Sequence, residues 1–404
     1  MSPGAKGKPT EHLRRNDSVK IQRLTLQNIL SFGEVPTSID LRPLNVLIGP
    51  NASGKSNLLE AIDVLRSTSS DISATLRVGG GVSEWIWKAA QRKTAMLAVV
   101  TEYPDAHGRL EYRLSFTETA QHLLITEERI AKTAQNSSAD DLIYSYQKGS
   151  AKLLVRYGHS RSTTSPRNID SSQSIFAQRK DPEQYPELTY LGALFGSFRL
   201  YRDWSFRRGT PPRAPQPADL ENDYLAEDAS NLGLILNRLR KDYRTKRRMQ
   251  ELLRKFYDRA EDVDVLIEGG TVQVFVQEKD YSIAAPRISD GTLRWICLLA
   301  VLLHPSPPSL LCFEEPEIGL HPDMISTLAE LLQEASGKTQ VVVTTHSDVL
   351  VDALSGEPEN IIVCEKEEGS TSLRRLERKQ LGEWLQTYSL GHLWRRGDLG
   401  GNRW

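Results

Sequence analysis

Hydrophobic and polar positions along the 404-residue chain follow two different periods. Residues 19–26 alternate between apolar and polar side chains, which predicts a strand with one buried face. Residues 41–48 form a second apolar run, and the apolar positions of residues 56–67 then take the spacing of a helix. The pattern therefore predicts two strands, a glycine-containing loop and a helix, in that order.

An antiparallel lobe is predicted downstream of this helix. Residues 95–102 and 109–116 both alternate, and a turn-forming sequence, PDAHG, separates them. Residues 142–157 have the pattern of a hairpin, and a polar loop is predicted at 160–168. Because residues 136–178 are rich in serine, threonine, asparagine and arginine, we interpret this stretch as a solvated surface excursion.

The middle of the chain joins a proline-rich segment to a basic one. Residues 207–217 contain four prolines and three arginines, which predicts a linker or an exposed loop. Residues 231–260 have leucines at helical spacing, which predicts one or two helices with a basic face. The basic face consists of Arg238, Arg240, Lys241, Arg244, Lys246, Arg247, Arg248, Arg254 and Lys255. This face is a candidate for binding nucleic-acid phosphates, and an ordinary solvated helix surface explains it equally well.

The second half has an alternating α/β pattern. Helices are predicted at residues 291–304 and 323–335, and apolar strands at 310–313 and 341–345. Strands that alternate with helices indicate a parallel sheet covered on both faces. Residues 361–376 have the pattern of a closing hairpin with its turn at Glu368 and Gly369, followed by a short helical tail.

Composition and charge narrow the functional classes. With 39% hydrophobic and 25% charged residues, the chain has the composition of a globular protein. Its formal net charge is −1, so a nucleic-acid surface has to be local. The three cysteines form no CxxC pair, which argues against a zinc site or a disulfide framework and for a reducing compartment.

No apolar run approaches the ~18 residues of a membrane span, so none is predicted. Residues 1–18 are basic and polar and lack the apolar stretch of about 7 to 15 residues that a signal peptide contains. We expect a disordered tail there and a cytoplasmic protein.

The strongest motif is GPNASGKS, which satisfies GxxxxGK[ST] and lies between a predicted strand and a predicted helix. Its residues are Gly49, Pro50, Asn51, Ala52, Ser53, Gly54, Lys55 and Ser56. Glycines at both ends let the backbone curl so that successive amides and the helix N-terminus point at phosphate oxygens. Lys55 is expected to reach the β- and γ-phosphates, and Ser56 to place its hydroxyl on Mg²⁺.

A second acidic element suits the same chemistry. The apolar strand that ends in Glu314 and Glu315 places two carboxylates at a strand end. We expect Glu314 to hold Mg²⁺, through water, and Glu315 to accept the proton of the attacking water.

Two further positions carry weaker signals. Ser289 and Gly291 precede an apolar helix and are a candidate second anion site, while ordinary helix capping by Ser289 or Asp290 is the alternative. His346 follows a strand end, where its imidazole is a candidate γ-phosphate contact or a structural side chain.

The succession of GPNASGKSNLLEAI, ISDGTLR, LLCFEEPEIGLHP and TTHS resembles the ABC-type ATPase heads of the RecF/SMC group, specifically the RecF-like "predicted ATPase" branch. The resemblance covers residues 19–70 and 285–400. It implies that Ser289 and Gly291 form a signature that binds the γ-phosphate held by a second protomer. It also implies that Glu315 is the catalytic carboxylate and His346 the switch histidine.

The resemblance further implies that Ser31 and Phe32 touch the nucleotide from the antiparallel lobe. Sustained heptads and a CxxC hook are absent from the sequence, so a full SMC architecture is not expected.

The expected fold is an α/β P-loop NTPase of the ABC-ATPase head type, with a mixed sheet, an antiparallel lobe and an inserted helical and β subdomain. After the tail, residues 19–135 are expected to form the N-terminal part of the head and residues 285–404 its C-terminal part. Residues 136–284 are expected to be the inserted variable and helical region.

The expected function is an ATP-hydrolysing switch that forms a homodimer when ATP and Mg²⁺ bind. The resemblance directs this switch toward DNA, in recombinational repair or genome defence, with DNA and a repair protein as candidate partners. The alternative is an ATP-dependent regulatory clamp on an effector protein, without DNA contact. A nucleotide kinase or another P-loop transferase is a third class.

Overall fold

The computed structural model describes residues 20–104, 108–133, 141–157, 160–166, 168–382 and 384–401. The predicted tail at residues 1–18 lies outside the described residues. The strands are β1 Ile21–Gln27, β2 Thr37–Asp40, β3 Leu44–Ile48, β4 Thr94–Glu102, β5 Arg109–Thr119, β6 His122–Thr133, β7 Asp141–Gln147, β8 Ser150–Tyr157, β9 Ser160–Thr164, β10 Arg199–Tyr201, β11 Gln216–Pro217, β12 Ala260–Glu268, β13 Thr271–Glu278, β14 Ser282–Ala284, β15 Leu310–Glu314, β16 Gln340–Thr344, β17 Ile361–Glu367 and β18 Ser370–Arg375.

The helices are α1 Lys55–Ser67, α2 Ile72–Val78, α3 Val82–Trp85, α4 Ile175–Gln178, α5 Pro186–Gly196, α6 Leu232–Leu239, α7 Tyr243–Phe256, α8 Asp290–Leu302, α9 Pro322–Ser336, α10 Asp348–Ala353, α11 Arg378–Leu381, α12 Trp384–Thr387 and α13 Leu390–Arg396. Within the described residues, none of these helices combines the length and the apolar content that a membrane span requires.

A six-stranded sheet forms the centre of the fold, with strand order β10-β15-β16-β3-β17-β18. The first five strands are parallel and β18 pairs antiparallel with β17. Alternate residues of each strand enter two different cores: Val46 and Ile48 pack on one face, and Leu47 packs on the other. The predicted parallel sheet, covered on both faces, is confirmed.

The two cores have different coverings. One contains residues of α1, α5 and the strands β1, β4 and β5. The other contains residues of α6, α7, α8, α9 and of the hairpin formed by β12 and β13. The mixed α/β architecture, with helices on both faces of the parallel sheet, therefore agrees with the sequence-based expectation.

An eight-stranded antiparallel sheet, in the order β2-β1-β4-β5-β6-β7-β8-β9, forms the predicted lobe. The interpretation of residues 136–178 as a solvated excursion is wrong for the described part, because Ile143, Tyr144 and Leu153 are buried in this sheet. The loop predicted at 160–168 is also wrong in its first half. Residues 160–164 form β9, whose backbone groups pair with those of β8 and leave fewer of them unsatisfied.

A small third sheet of β11, β12, β13 and β14 was not predicted from the sequence. Its strand β11 lies within residues 207–217, the predicted linker or exposed loop. In that segment Pro212, Arg213 and Gln216 are buried, so the prediction of a linker or an exposed loop is wrong at these positions. Proline content marked the irregular backbone correctly, but the segment packs against the body of the protein.

A buried amide joins the two large sheets. Gln340, at the start of β16, is fully buried. Its Oε1 accepts from the amide of Ile21 at 3.0 Å, and its Nε2 donates to the carbonyls of Ile21 at 2.8 Å and Arg42 at 3.2 Å. Ile21 lies at the start of β1 and Arg42 lies between β2 and β3, so this one side chain ties β16 of the central sheet to the antiparallel sheet and to the segment that enters β3.

Replacing Gln340 with leucine should therefore destabilise the fold by about 2–4 kcal/mol, because buried backbone groups lose their partners while the volume is kept. Denaturant unfolding gives the free energy. Gln333→Leu in α9 is the control, since that half-buried side chain makes no hydrogen bond with another described residue. Equal losses in the two variants would contradict the assigned role of Gln340.

Candidate functional site

The loop between β3 and α1 has a conformation that its glycines permit. Gly49 and Gly54 have φ angles of +150° and +104°, and Ala52 between them has a φ of +64°. A Cβ atom on Gly49 would lie 2.3 Å from the carbonyl oxygen of Cys364. A Cβ atom on Gly54 would lie 2.2 Å from Thr371 Oγ1, so both positions require glycine.

The remaining residues of this loop are exposed in its middle and buried where it meets α1. Asn51 and Ala52 are exposed, Pro50 is half-buried and Ser53 is buried. Lys55 is buried and crosses under the loop, where its Nζ donates to the carbonyls of Gly49 at 2.8 Å and Pro50 at 3.0 Å. This pair of bonds holds the ammonium group within the curl of the loop.

Burial lowers the pKa of Lys55, while the nearby carboxylates of Glu315 and Glu314 act to raise it. The ammonium group and the two carboxylates at the end of β15 therefore act on one another electrostatically.

Ser56 and Glu314 meet across the site. The Ser56 hydroxyl donates a hydrogen bond to Glu314 Oε1. The other carboxylate oxygen, Oε2, accepts from Arg202 Nε at 3.1 Å. Sequence reasoning missed Arg202, because it follows β10, a strand of three residues that is too short to show a period.

Glu315 and His346 are adjacent as well. Glu315 has a φ of +46°, and its amide donates to the Thr344 carbonyl at 3.0 Å. Its Oε1 lies 3.5 Å from His346 Nε2. Burial lowers the pKa of His346, as does the charge of Lys55, while Glu315 acts to raise it. Burial and Lys55 therefore favour the neutral form of the imidazole.

A third glutamate, Glu317, holds residues 345 and 346 by hydrogen bonds from one side chain and one backbone amide. It is buried, accepts a hydrogen bond from the Thr345 hydroxyl, and also accepts from the His346 amide at 3.3 Å. Burial raises the pKa of Glu317, against the effect of these bonds. The sequence shows Glu317 as the last residue of EEPE, but it did not predict that this side chain is buried.

Ser31 and Phe32 occupy different environments. The Ser31 hydroxyl is 2.7 Å from Thr371 Oγ1, and Thr371 Oγ1 donates to the Ser53 carbonyl at 2.9 Å. Ser31 is thus linked to the phosphate loop through one threonine of β18, which the sequence did not single out. The Phe32 side chain is fully buried in a hydrophobic core, so we propose no nucleotide contact for its ring.

Ser289 and Gly291 lie at the N-terminus of α8. Ser289 Oγ caps the helix by accepting from the Thr292 amide at 3.1 Å, as the capping alternative predicts. Gly291 faces another loop, because a Cβ atom there would be 2.9 Å from the Gly319 carbonyl oxygen. In the part of the chain that the structure describes, no hydrogen bond or ion pair connects Ser289 or Gly291 with the loop at 49–56.

Arg213 fixes the segment just before α8. Its buried guanidinium donates to the carbonyls of Ala285 at 2.9 Å and Ile288 at 2.7 Å, and it also pairs with Asp290. The sequence placed Arg213 only in a proline-rich loop.

The residues present suit a nucleoside triphosphate with Mg²⁺. The Ser53 hydroxyl is buried inside the loop and has no hydrogen-bond partner in the structure, so an acceptor from a ligand would satisfy it. Among the described residues, no group of three or more His, Cys, Asp and Glu side chains could hold a metal by itself. A hydroxyl and one carboxylate, Ser56 and Glu314, match a magnesium ion whose other ligands are phosphate oxygens and water.

The mixed α/β fold and this loop define a P-loop domain of the AAA type. Residues 44–352 match the family described as "AAA domain, putative AbiEii toxin, Type IV TA system". The match spans more than half of the chain, and the chain belongs to this family.

Solved structures give the same fold. An Smc head bound to the C-winged helix domain of ScpA has a TM-score of 0.56 and 15% identity, covering 90% of this chain and 100% of that one. An Smc head domain from Pyrococcus furiosus, with an extended coiled coil and bound to the C-terminal domain of ScpA, has a TM-score of 0.54 and 14% identity, covering 91% and 98%. A search among curated proteins finds no match.

Crowding at Gly54 gives a test of the loop geometry. Gly54→Ala should cost about 1–3 kcal/mol for strain and as much again for the clash with Thr371 and Ser31. Gly149→Ala, in the turn between β7 and β8, is the control, because Gly149 has a φ of +81° but no atom within 4 Å of the added Cβ. Denaturant unfolding measures both variants, and equal destabilisation would refute the close packing of Gly54.

Proposed function

We propose that this protein binds and hydrolyses ATP, and that hydrolysis resets a conformational switch. The observation that carries the proposal is the meeting of Lys55, Ser56, Glu314, Glu315 and His346 at one edge of the parallel sheet. Backbone amides of residues 49–56, with Lys55, bind the phosphates. Ser56 and Glu314 hold Mg²⁺, which when bound neutralises charge on the phosphate oxygens.

Glu315 acts as the general base in this proposal. Its carboxylate accepts a proton from the attacking water, and the neutral His346 next to it orients the water or contacts the γ-phosphate. The buried Glu317 is a positioning residue, because it holds the Thr345 hydroxyl and the His346 amide. Among the classes considered from the sequence, a transferase is not supported by any further observation.

We also propose that two copies of the chain complete each other's sites. Ser289 is exposed at the N-terminus of α8, a helix of 13 residues whose end carries free amides and a positive dipole. Since Ser289 and Gly291 are not joined to the phosphate loop of their own chain, they are available to the γ-phosphate held by a partner protomer. Ser31 is proposed as a contact from the antiparallel lobe.

Glu315→Gln should reduce turnover by about 100-fold or more, because the base is lost while phosphate binding is kept. Saturated with ATP and Mg²⁺, this variant should sediment as a dimer. Lys55→Ala should instead weaken ATP binding, measured with a fluorescent ATP analogue. Glu330→Gln, an exposed position in α9, is the control for the substitution.

Two outcomes would contradict these roles. Equal turnover by Glu315→Gln and the parent chain would remove Glu315 as the base. A nucleotide-saturated Glu315→Gln protein that sediments only as a monomer would remove the shared site, together with the roles of Ser289 and Gly291.

For the output of the switch, we propose DNA in genome defence or repair as the first candidate. The family description, which names a putative toxin of a type IV toxin-antitoxin system, is consistent with a defence role. Helix α7 and the turn before it supply cations, and Lys241, Arg244 and Lys255 have no ion pair among the described residues.

A regulatory clamp on an effector protein is the second candidate, and a specific observation favours it. Much of the basic face is neutralised within the chain: Arg238 pairs with Asp223, Arg240 with Asp264, Lys246 with Asp262, Arg247 with Glu251, and Arg248 with Glu251 and Glu334. Cations that are already paired release fewer counterions from DNA.

Charge reversal separates the two candidates. If DNA binds this face, Arg247→Glu with Arg248→Glu should weaken DNA binding by about tenfold or more at low salt and flatten its salt dependence. Fluorescence anisotropy of a labelled duplex, with and without ATP, measures this. Arg207→Glu with Arg208→Glu, an exposed pair elsewhere, makes the same charge change. Unchanged affinity, or no binding at low salt, would reject DNA and support the clamp.

A further inference from the structure

Arg202 is brought to the magnesium side of the site by strand pairing. Strand β10 is parallel to β15, and Tyr201 pairs with Phe313 in the register. The residue after this pair is Arg202 on one side, directly after β10, and Glu314 on the other, at the end of β15. Arg202 is half-buried, with 24% of its side chain exposed, so its charge is only partly screened by water.

The guanidinium of Arg202 bridges two carboxylates on different elements. Its Nε donates to Glu314 Oε2 at 3.1 Å and its Nη2 donates to Glu60 Oε1 at 3.1 Å. Glu60 lies four residues after Ser56 in α1, on the same face of the helix. Arg202 thus ties the end of β15 to the helix that follows the phosphate loop.

Each carboxylate oxygen of Glu314 accepts a hydrogen bond in this arrangement. Oε1 accepts from Ser56, and Oε2 accepts from Arg202. A carboxylate held through one oxygen can rotate about its terminal torsion, which is broad, whereas bonds at both oxygens define its plane. The second bond therefore keeps Oε1 directed at the Ser56 hydroxyl before any nucleotide arrives.

We propose that Arg202 is a positioning residue of the ATPase site, which holds the Glu314 carboxylate against Ser56 and anchors it to α1 through Glu60. The inference rests on the proposed function, since it assigns Arg202 a role in preparing the pair that holds Mg²⁺. Outer-shell partners of metal-binding residues act in this way, and their loss commonly reduces metal affinity or activity by about 10- to 100-fold.

Two effects of Arg202 on Mg²⁺ have opposite signs. As a cation it repels Mg²⁺, so removing it would strengthen metal binding if charge alone mattered. As a positioning residue it prepares Glu314, so removing it would weaken metal binding. A measurement of the magnesium-dependent part of nucleotide affinity distinguishes the two effects by direction.

The experiment compares the affinity for a fluorescent ATP analogue in Mg²⁺ with that in EDTA, using the full chain. The ratio of the two affinities is the magnesium gain. In Arg202→Gln we expect this gain to fall by about tenfold, the lower end of the outer-shell range, while the affinity in EDTA stays within about twofold. Glu60→Ala, which removes the anchor but keeps the Glu314 bond, should lower the gain less.

Arg66→Gln is the matched control. Arg66 lies in α1, the helix that contains Glu60, and 26% of its side chain is exposed. Like Arg202 it bridges two carboxylates, here those of Asp63 and Glu227. It makes no hydrogen bond or ion pair with Glu314 or Ser56. Its magnesium gain should equal that of the parent chain. Arg202→Lys keeps the charge but replaces the planar forked donor with a compact ammonium group, and it should restore part of the gain that Arg202→Gln loses.

The outcomes separate this inference from the proposed function. If the parent chain binds the analogue and shows a magnesium gain, but Arg202→Gln has the same or a larger gain, the positioning role is overturned and the ATPase proposal stands. A parent chain that binds no nucleotide overturns the ATPase proposal itself. If Arg202→Gln fails to fold, Arg202→Lys provides the test. A magnesium gain in Arg202→Lys equal to that of the parent chain would refute the positioning role of the Arg202 guanidinium.

Discussion

The parallel register of β10, β15, β16 and β3 is the constraint on which the candidate site depends. Parallel strands place all their carboxyl ends at one edge of a sheet, and the backbone leaves each strand there with free amides and new side-chain directions. The residues that meet at this edge each follow, or end, one of these strands: Arg202, Glu314 with Glu315, His346, and the loop that begins at Gly49. A shift of one strand by a single residue would turn its last side chain to the opposite face of the sheet.

Polar side chains then connect this edge and its sheet to the antiparallel lobe. Gln340 joins the start of β16 to β1, and Thr371 joins the Ser31 loop to the backbone of Ser53. Both side chains are buried, so each bond lies in a low-dielectric setting where an unpaired partner would be costly. The phosphate loop is consequently held from both sheets, and a movement of one sheet against the other would alter it.

The segment before α8 is organised separately. Arg213 donates hydrogen bonds to the carbonyls of Ala285 and Ile288 and pairs with the Asp290 carboxylate. Ser289, between these partners, is exposed at the helix end. A rigid but outward-facing helix terminus is suited to a ligand supplied from outside the chain. This separation within one chain is the physical basis for proposing a site shared between two copies.

Local patterns were sufficient for much of this protein. Apolar runs and glycine spacing predicted β3, α1 and the loop between them, because a curled phosphate loop needs glycine at fixed positions and a helix needs one apolar face. The short strand β10 was not predicted, since three residues show no period. The hairpin of β12 and β13 was not predicted either, although β13 alternates between buried and half-buried positions as a strand does. The roles open to Arg202, Arg213, Glu317 and Thr371 were decided only by tertiary structure. Each acts through partners that are distant in sequence, from 28 residues for Glu317 and Thr345 to 340 for Thr371 and Ser31. A side chain's type shows which bonds it is able to make, but only the packing of strands and helices shows which partners lie within reach.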